Sequence, residues 1–309
     1  FKPGTGQPGR INPAEVRVPA YLPDLPEVRL EIACYLNQVE AMDAAFGEAI
    51  RLLEQRGELD NTIVVHGSDN GWQMPRGLGN VYDSGCHVPL AIRWPGRVRP
   101  GRVIEDFVSV TDYAPTFLEM AGLVPWPEMS ARSFLDILVE DRRDPRRDHV
   151  FVERERHANV RRGDLSYPIR GVRTKDFLYL RNLRPQRHPA GDPIVYHSVG
   201  DYGDIDEAAI KMLMMERQNE PSMQKFFALS FKKRPAEELY DLRRDPDQID
   251  NVAARPEYAA AKQELGAKID GWMKATRDPR LDPNYDGFDK FPYYGGGLAP
   301  VLRRWDEQN

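Results

Sequence analysis

The sequence predicts an α/β fold joined to a smaller α+β domain with an antiparallel sheet, and three observations carry that reading. An amphipathic helix runs directly into a short β-branched strand. That strand ends in a carboxylate, an amide and a glycine. Past residue 146 the pattern changes from helix-then-strand units to a hairpin.

The elements follow in order. Residues 1–26 read as an irregular entry segment, closed by Pro19-Ala20-Tyr21-Leu22-Pro23-Asp24. Ile32, Leu36, Val39, Met42, Phe46, Ile50 and Leu53 then recur at three- and four-residue steps, which sets them on one helical face, and Gly57 suits a left-handed stop. Thr62-Ile63-Val64-Val65 is apolar without alternation, as expected for a parallel strand covered on both faces. Pro89–Trp94 reads as a second strand and Phe107–Val110 as a third, ending at a Thr111-Asp112 cap before a helix over Tyr113–Ala121 that Gly122 stops. Tyr167–Arg173 and Phe177–Asn182 flank Thr174-Lys175-Asp176 as a hairpin. After a loop-rich insertion over 184–235 comes the strand Glu238–Leu242. A last helix begins at Pro256, with Tyr258, Ala261, Leu265, Ile269 and Trp272 on one stripe. The expected organisation is a core unit over 1–145, a smaller unit over 146–283, and an irregular tail over 284–309.

Composition bounds the function. At 309 residues, 41% hydrophobic and 29% charged, the chain can bury one larger and one smaller core. No apolar stretch approaches the ~20 residues that span a bilayer. The net charge of −5, from 43 basic and 48 acidic residues, argues against a nucleic-acid binder. The first residue is Phe1 rather than Met, so the chain is expected to be cut from something longer. Cys34 and Cys86 are too few for a disulfide framework. Cys34 reads as a small buried hydrophobe; Cys86, in a loop, reads the same way, with a thiol nucleophile as the alternative.

The segment richest in chemistry is Asn61-Thr62-Ile63-Val64-Val65-His66-Gly67-Ser68-Asp69-Asn70-Gly71. Here a strand delivers Asp69 and Asn70 to its C-terminal end, where open α/β sheets keep their sites. Two hard oxygen donors side by side suit Ca²⁺ or Mg²⁺, and Gly71 lets the chain turn away at once. Taken alone, the same residues also make an ordinary Asp-Asn-Gly turn.

Context favours the ligand reading. Ser68-Asp69-Asn70-Gly71 followed by Asn80-Val81-Tyr82-Asp83-Ser84-Gly85-Cys86-His87-Val88-Pro89-Leu90 resembles the sulfatase family. So, in the right order, do Thr111–Leu118, Tyr167–Thr174 and Glu238–Pro246, together covering about residues 20–280. The pattern is most similar to the heparan N-sulfatase branch. The resemblance implies the C-terminal part of an alkaline-phosphatase-like sulfatase core, a smaller C-terminal domain, one Ca²⁺, and a formylglycine nucleophile made within a Cys-x-Pro-Ser-Arg motif. Neither cysteine lies in such a motif, so the formylglycine is expected in an N-terminal part not contained in these residues, and the chain by itself is expected to be inactive. Carried over residue by residue, Asp69 and Asn70 are the expected metal ligands.

Substrate contacts are expected from Arg76, His87, Glu155, Arg156 and His157. Where relatives place a Lys shortly after Pro-Arg-like positions, this chain has Leu78, so either Arg76 takes over the sulfate or turnover is altered; a solvated loop charge is the other reading of Arg76. His87 faces the sulfate pocket or packs. Glu155, Arg156 and His157 resemble the stretch that reaches the sugar, or form an exposed charged strand end. Between Arg142 and Arg162 eight Arg outnumber four Asp or Glu, a local excess able to steer a polyanionic glycan or simply to coat a linker. The partner implied is a sulfated carbohydrate, with no nucleic acid and no membrane span, and the location implied is periplasmic or extracellular. The competing readings are a phospho-ester hydrolase of the same superfamily, against which Asn70 stands in place of a second metal's His, and a non-catalytic sulfated-glycan-binding remnant. Half of a doubly wound sheet is also expected to expose an edge and a bare face.

Overall fold

The computed structural model describes residues 9–140, 142–195 and 200–292. Helix α1 (Pro26–Gln55) starts with Pro26 in the first turn, where a missing N–H costs nothing, and ends at Gly57 with φ +71°. It leads into β1 (Val64–Gly67), then α2 (Asp83–Cys86), β2 (Leu90–Arg93), α3 (Tyr113–Met120) and α4 (Leu135–Val139). Next come β3 (His149–Arg154), the hairpin β4 (Ile169–Thr174) and β5 (Phe177–Asn182), and helices α5 (Ala209–Glu216) and α6 (Pro221–Phe231). Strand β6 (Glu237–Asp241) and helix α7 (Ala259–Ala275) complete the set.

The mixed helix and sheet of the α/β expectation are present, but the strands differ from it in detail. Strand β1 pairs antiparallel with β2, Val65 opposite Ile92, and its faces alternate between half-buried and exposed rather than being covered twice. Among the described residues no further strand joins this ribbon. The expected third strand at Phe107–Val110 is no strand. The Phe107 N–H donates to the Arg147 carbonyl at 3.0 Å, and Ser109 caps a 3₁₀ turn over Val110–Asp112 whose carboxylate holds Arg147 at 2.8 Å. Side-chain and loop hydrogen bonds satisfy this backbone before a ladder can. The stripe on α1 is buried at Ile32 and half-buried at Leu36, Phe46, Ile50 and Leu53, whereas Val39 and Met42 are exposed.

The second sheet is antiparallel in the order β3-β4-β5-β6, with Val172 opposite Tyr179 and Leu178 opposite Tyr240. One face packs Val172, Tyr179 and Leu239 against Leu265, Ile269 and Met273 of α7, and Trp272 stacks on Phe151 with ring centres 4.8 Å apart. The other face packs Tyr167, Ile169, Leu178, Leu180 and Tyr240 against Val81 and Tyr82. The loop that follows Asp69 and Asn70 is therefore the lid of the second sheet.

The segment expected to be loop-rich, 184–235, contains α5 and α6. Their Ile210, Met214, Met223, Phe227 and Phe231 form a core with Val28 and Ile32 of α1 and with Met74. The Ile210 N–H donates to buried Glu31 at 2.7 Å, which satisfies a helix-start donor with a carboxylate. Within the expected tail, a 3₁₀ turn at Gly287–Lys290 supplies Asp289 to Ser166 and Arg187; 293–309, like 1–8, lies outside the described residues.

Candidate functional site

Strand β1 ends at Gly67, and the next residues are fixed by a close turn. Ser68 Oγ donates to the Asn70 carbonyl at 2.8 Å, Asn70 Nδ2 donates to the Gly71 carbonyl at 2.8 Å, and the Gly71 N–H donates to Gly85 at 2.9 Å. A Cβ on Gly71 would lie 1.9 Å from the Ser84 carbonyl, so only glycine lets the chain pass α2 this closely. The turn uses the amide nitrogen of Asn70 and leaves its Oδ1 available. The Asp69 carboxylate is exposed at the same rim, and among the described residues nothing donates to it. Two hard oxygens of this kind fit a Ca²⁺ donor set, which needs six to eight in all. No cluster of three His, Cys, Asp or Glu forms around them among the described residues, so these residues make up part of a coordination sphere.

Arg76 occupies neither expected place. It sits at φ +66° and is 2% exposed, donating to the carbonyls of Leu229 at 3.1 Å and Gln248 at 2.5 Å, with its guanidinium 3.7 Å from the centre of the Tyr82 ring. A buried cation needs acceptors on every side, and these come from the interior of the fold rather than from solvent or the Asp69 rim. Tyr82 in turn donates to Glu238 at 2.7 Å; burial pushes its hydroxyl up, so it stays a donor. Arg76 is thus a tie between the loop and the second sheet's surroundings.

His87 is exposed just after α2. With Cys86 it lines a cleft of about 1390 Å³ bounded by β2, the 94–110 loop, α4 and β3. The Cys86 thiol sits 3.2 Å from the Tyr82 carbonyl, and burial, then Asp83, pushes its pKa up to about 12, a direction that disfavours the thiolate a nucleophile needs.

The 153–157 stretch divides. Glu155 accepts from Arg170 at 2.8 Å and from Arg280 at 2.6 Å, within a network that includes Asp278 and Asp286. Arg156 donates to the carbonyls of Asp164 at 3.0 Å and Phe291 at 2.8 Å. His157 alone meets the loop: its Nδ1 would lie 2.9 Å from a Cβ placed on Gly79, which has φ +73°. The same Nδ1 is 3.1 Å from Oδ1 of Asp204. Arginines of the basic stretch are largely spent internally, Arg142 and Arg143 on Glu140, Glu105 and Asp106, Arg146 on Asp144, Arg147 on Asp112, and Arg154 and Arg161 on Asp204.

Sequence reasoning missed Asp204, Arg154, Arg161, Tyr82 and Glu238. Each acts through a partner far along the chain, as with Asp204 and Arg154 fifty residues apart, and no local spacing signals it.

Comparison with known proteins follows the same residues. The family model described as Sulfatase matches residues 8–123, and that described as N-sulphoglucosamine sulphohydrolase, C-terminal, matches residues 72–187. An Ulvan-active sulfatase of Formosa agariphila is 30% identical over 288 residues, covering 92% of this chain and 45% of that protein. Human N-sulphoglucosamine sulphohydrolase is 28% identical over 283 residues, covering 88% of this chain and 53% of its own. A phosphonate monoester hydrolase structure from Silicibacter pomeroyi superposes with a TM-score of 0.57 at 20% identity, covering 88% of this chain and 47% of that one, a likeness of fold alone. The chain thus spans about half the length of the curated relatives it matches. One family model spans the Asp69-Asn70 turn and the other begins in the loop after it, so the chain carries sulfatase-family regions over residues 8–187, has the alkaline-phosphatase-like fold of its structural neighbours, and matches the C-terminal part of its relatives.

Proposed function

We propose that the protein containing this chain is a sulfatase, hydrolysing sulfuric esters or sulfamates of sulfated glycans such as heparan-type glycosaminoglycan, in the periplasm or outside the cell. The observation that carries the reading is the Asp69-Asn70 turn: one exposed carboxylate and one amide oxygen, at the end of a strand, in a chain 28% identical to human N-sulphoglucosamine sulphohydrolase. In this reading Asp69 and Asn70 hold part of the sphere of one Ca²⁺. When bound, a hard dication stabilises negative charge on the oxygens of a transferring sulfuryl group.

The remaining residues act by binding and orientation. His87 and His157 present ring nitrogens to the sugar, Glu155 and Arg156 brace the strand end that carries His157, and Arg76 holds the 71–85 loop on the second sheet. The nucleophile is a formylglycine supplied by sequence outside these 309 residues, since neither Cys34 nor Cys86 has the required neighbours. A glycan-binding remnant is the second reading, favoured by Leu78 and by the inward guanidinium of Arg76, which together leave the loop without an outward basic group at those two positions.

Sulfate release from N-sulfoglucosamine and from an aryl sulfate tests both readings. The 309-residue chain releases none, and the longer polypeptide carrying a Cys-x-Pro-Ser-Arg segment releases sulfate in the presence of Ca²⁺. A longer polypeptide that binds sulfated glycan with no turnover selects the second reading, and metal-dependent turnover by the short chain overturns the placement of the nucleophile.

A further inference from the structure

The inserted segment 184–235 contributes a buried acid that no local pattern marks. The Asp204 side chain is 1% exposed. Its Oδ2 accepts from Arg161 at 2.7 Å and from Arg154, while Oδ1 faces Nδ1 of His157 at 3.1 Å. The Asp204 N–H donates to the Ala190 carbonyl at 2.9 Å, so the backbone beneath the carboxylate is also fixed. Arg154 and Arg161 are themselves held, both donating to the Pro189 carbonyl and both lying over the Tyr167 ring at 5.7 and 5.4 Å.

We propose that Asp204 is a positioning residue: by accepting from Nδ1–H of His157 it fixes the ring against Gly79 and leaves Nε2 as the acceptor edge that takes an O–H or N–H of the amino sugar. The substrate half of this rests on the sulfatase reading above, whereas the tautomer does not. The chemistry is one of elimination. Burial alone would push the Asp204 carboxyl up, but Arg154, then His157 and Arg161, hold it well below the usual carboxylate range, so it carries no proton to donate. An ionised carboxylate only accepts; the nitrogen facing it must donate, and in a neutral imidazole the other nitrogen must then accept. Among the described residues Nε2 has no partner, and the His157 side chain is 33% exposed. The two oxygens of Asp204 therefore divide their work, Oδ2 neutralising a buried arginine pair and Oδ1 choosing the tautomer of an exposed histidine. A carboxylate orienting the far nitrogen of a working histidine is a recurring device.

The experiment is long-range ¹H–¹⁵N NMR of the ¹⁵N-histidine-labelled 309-residue chain at a pH where the ring is neutral, with His157 assigned by its loss in His157→Gln. Wild type is expected to carry the proton on Nδ1, and N-sulfoglucosamine at millimolar concentration is expected to shift Nε2 of His157. In Asp204→Asn the amide oxygen stays with the two arginines and its NH₂ turns to the ring, so the proton is expected to move to Nε2 and the saccharide-induced shift to be lost. Because the wild-type tautomer is read without any variant, failure of Asp204→Asn to fold does not protect the proposal. A proton on Nε2 in wild type overturns it while leaving the sulfatase reading intact. A proton on Nδ1 with no saccharide-induced shift overturns the substrate contact and keeps the positioning of the ring.

Discussion

Strands β4 and β5 bury Ile169, Val172, Leu178 and Leu180 completely, whereas β1 leaves Ile63 before it and Val65 within it exposed. Both regions are rich in β-branched and aliphatic residues, so strand chemistry does not separate them. What separates them is cover. The second sheet has α7 on one face and the 71–85 loop on the other, while the two-stranded β1-β2 ribbon is only half-buried, with Leu90 and Ile92 against Phe134, Ile137 and Leu138 and with Phe46 of α1 against His66. A fully buried Leu or Ile contributes roughly 1.5–3 kcal/mol relative to exposure, so the strands of the second sheet contribute more to stability than β1 does. The oxygens proposed to hold the metal sit in the looser region and are held in place through the loop that covers the tighter one.

Substitutions across the two regions test that contrast. The largest effect is expected at Asp204→Ala, which strands two buried guanidinium groups and should cost about 3–5 kcal/mol by urea unfolding. A loss under about 1 kcal/mol would mean the arginines find other acceptors. Next is Ile269→Ala, at the centre of the contact between α7 and the sheet, expected to cost about 2–5 kcal/mol, against less than about 0.5 kcal/mol for Val65→Thr on β1. Equal losses at the two would erase the contrast. Tyr82→Phe removes a donor from buried Glu238 and should cost about 1–3 kcal/mol while leaving the fold of α7 unchanged.

The pH response is smaller and has a defined sign. Asp204 has a folded pKa below the value of about 3.9 expected for an unfolded Asp, so its stabilising contribution is fully present above that value and is lost as pH falls through the lower folded one. Urea midpoints should therefore drop below about pH 4, and Asp204→Asn should flatten that part of the profile. A profile unchanged by the variant would show that other carboxylates govern acid unfolding.

Much of the fold was legible because it is local. The α1 stripe, the Gly57 stop, the β4-β5 hairpin and the Leu265–Ile269 face follow from periods of 3.6 and 2 and from turn residues. Antiparallel pairing of β1 was not legible, because the Thr62–Val65 run has the same composition in either orientation, and Phe107–Val110 was misread because Ser109 and Asp112 offered its backbone other partners. At the candidate site, the donor types of Asp69 and Asn70 alone also make an ordinary turn, and it is the resemblance of the surrounding residues that singles the pair out. The burial of Arg76 was not legible, since a guanidinium beside Gly77 reads as a sulfate contact or a solvated charge until Tyr82, Leu229 and Gln248 close around it. The same holds for Glu155, whose sequence neighbours give no sign of Arg280.

The central claim is that Asp69 and Asn70 are ligands of the ion on which turnover depends. It is tested most directly by calorimetric titration of Ca²⁺ into the active longer polypeptide and into its Asp69→Ala variant, with sulfate release followed in parallel. In Asp69→Ala calcium affinity is expected to fall by at least about tenfold, a loss of about 1.4 kcal/mol or more, and activity to fall with it. Unchanged calcium affinity in Asp69→Ala would contradict the claim.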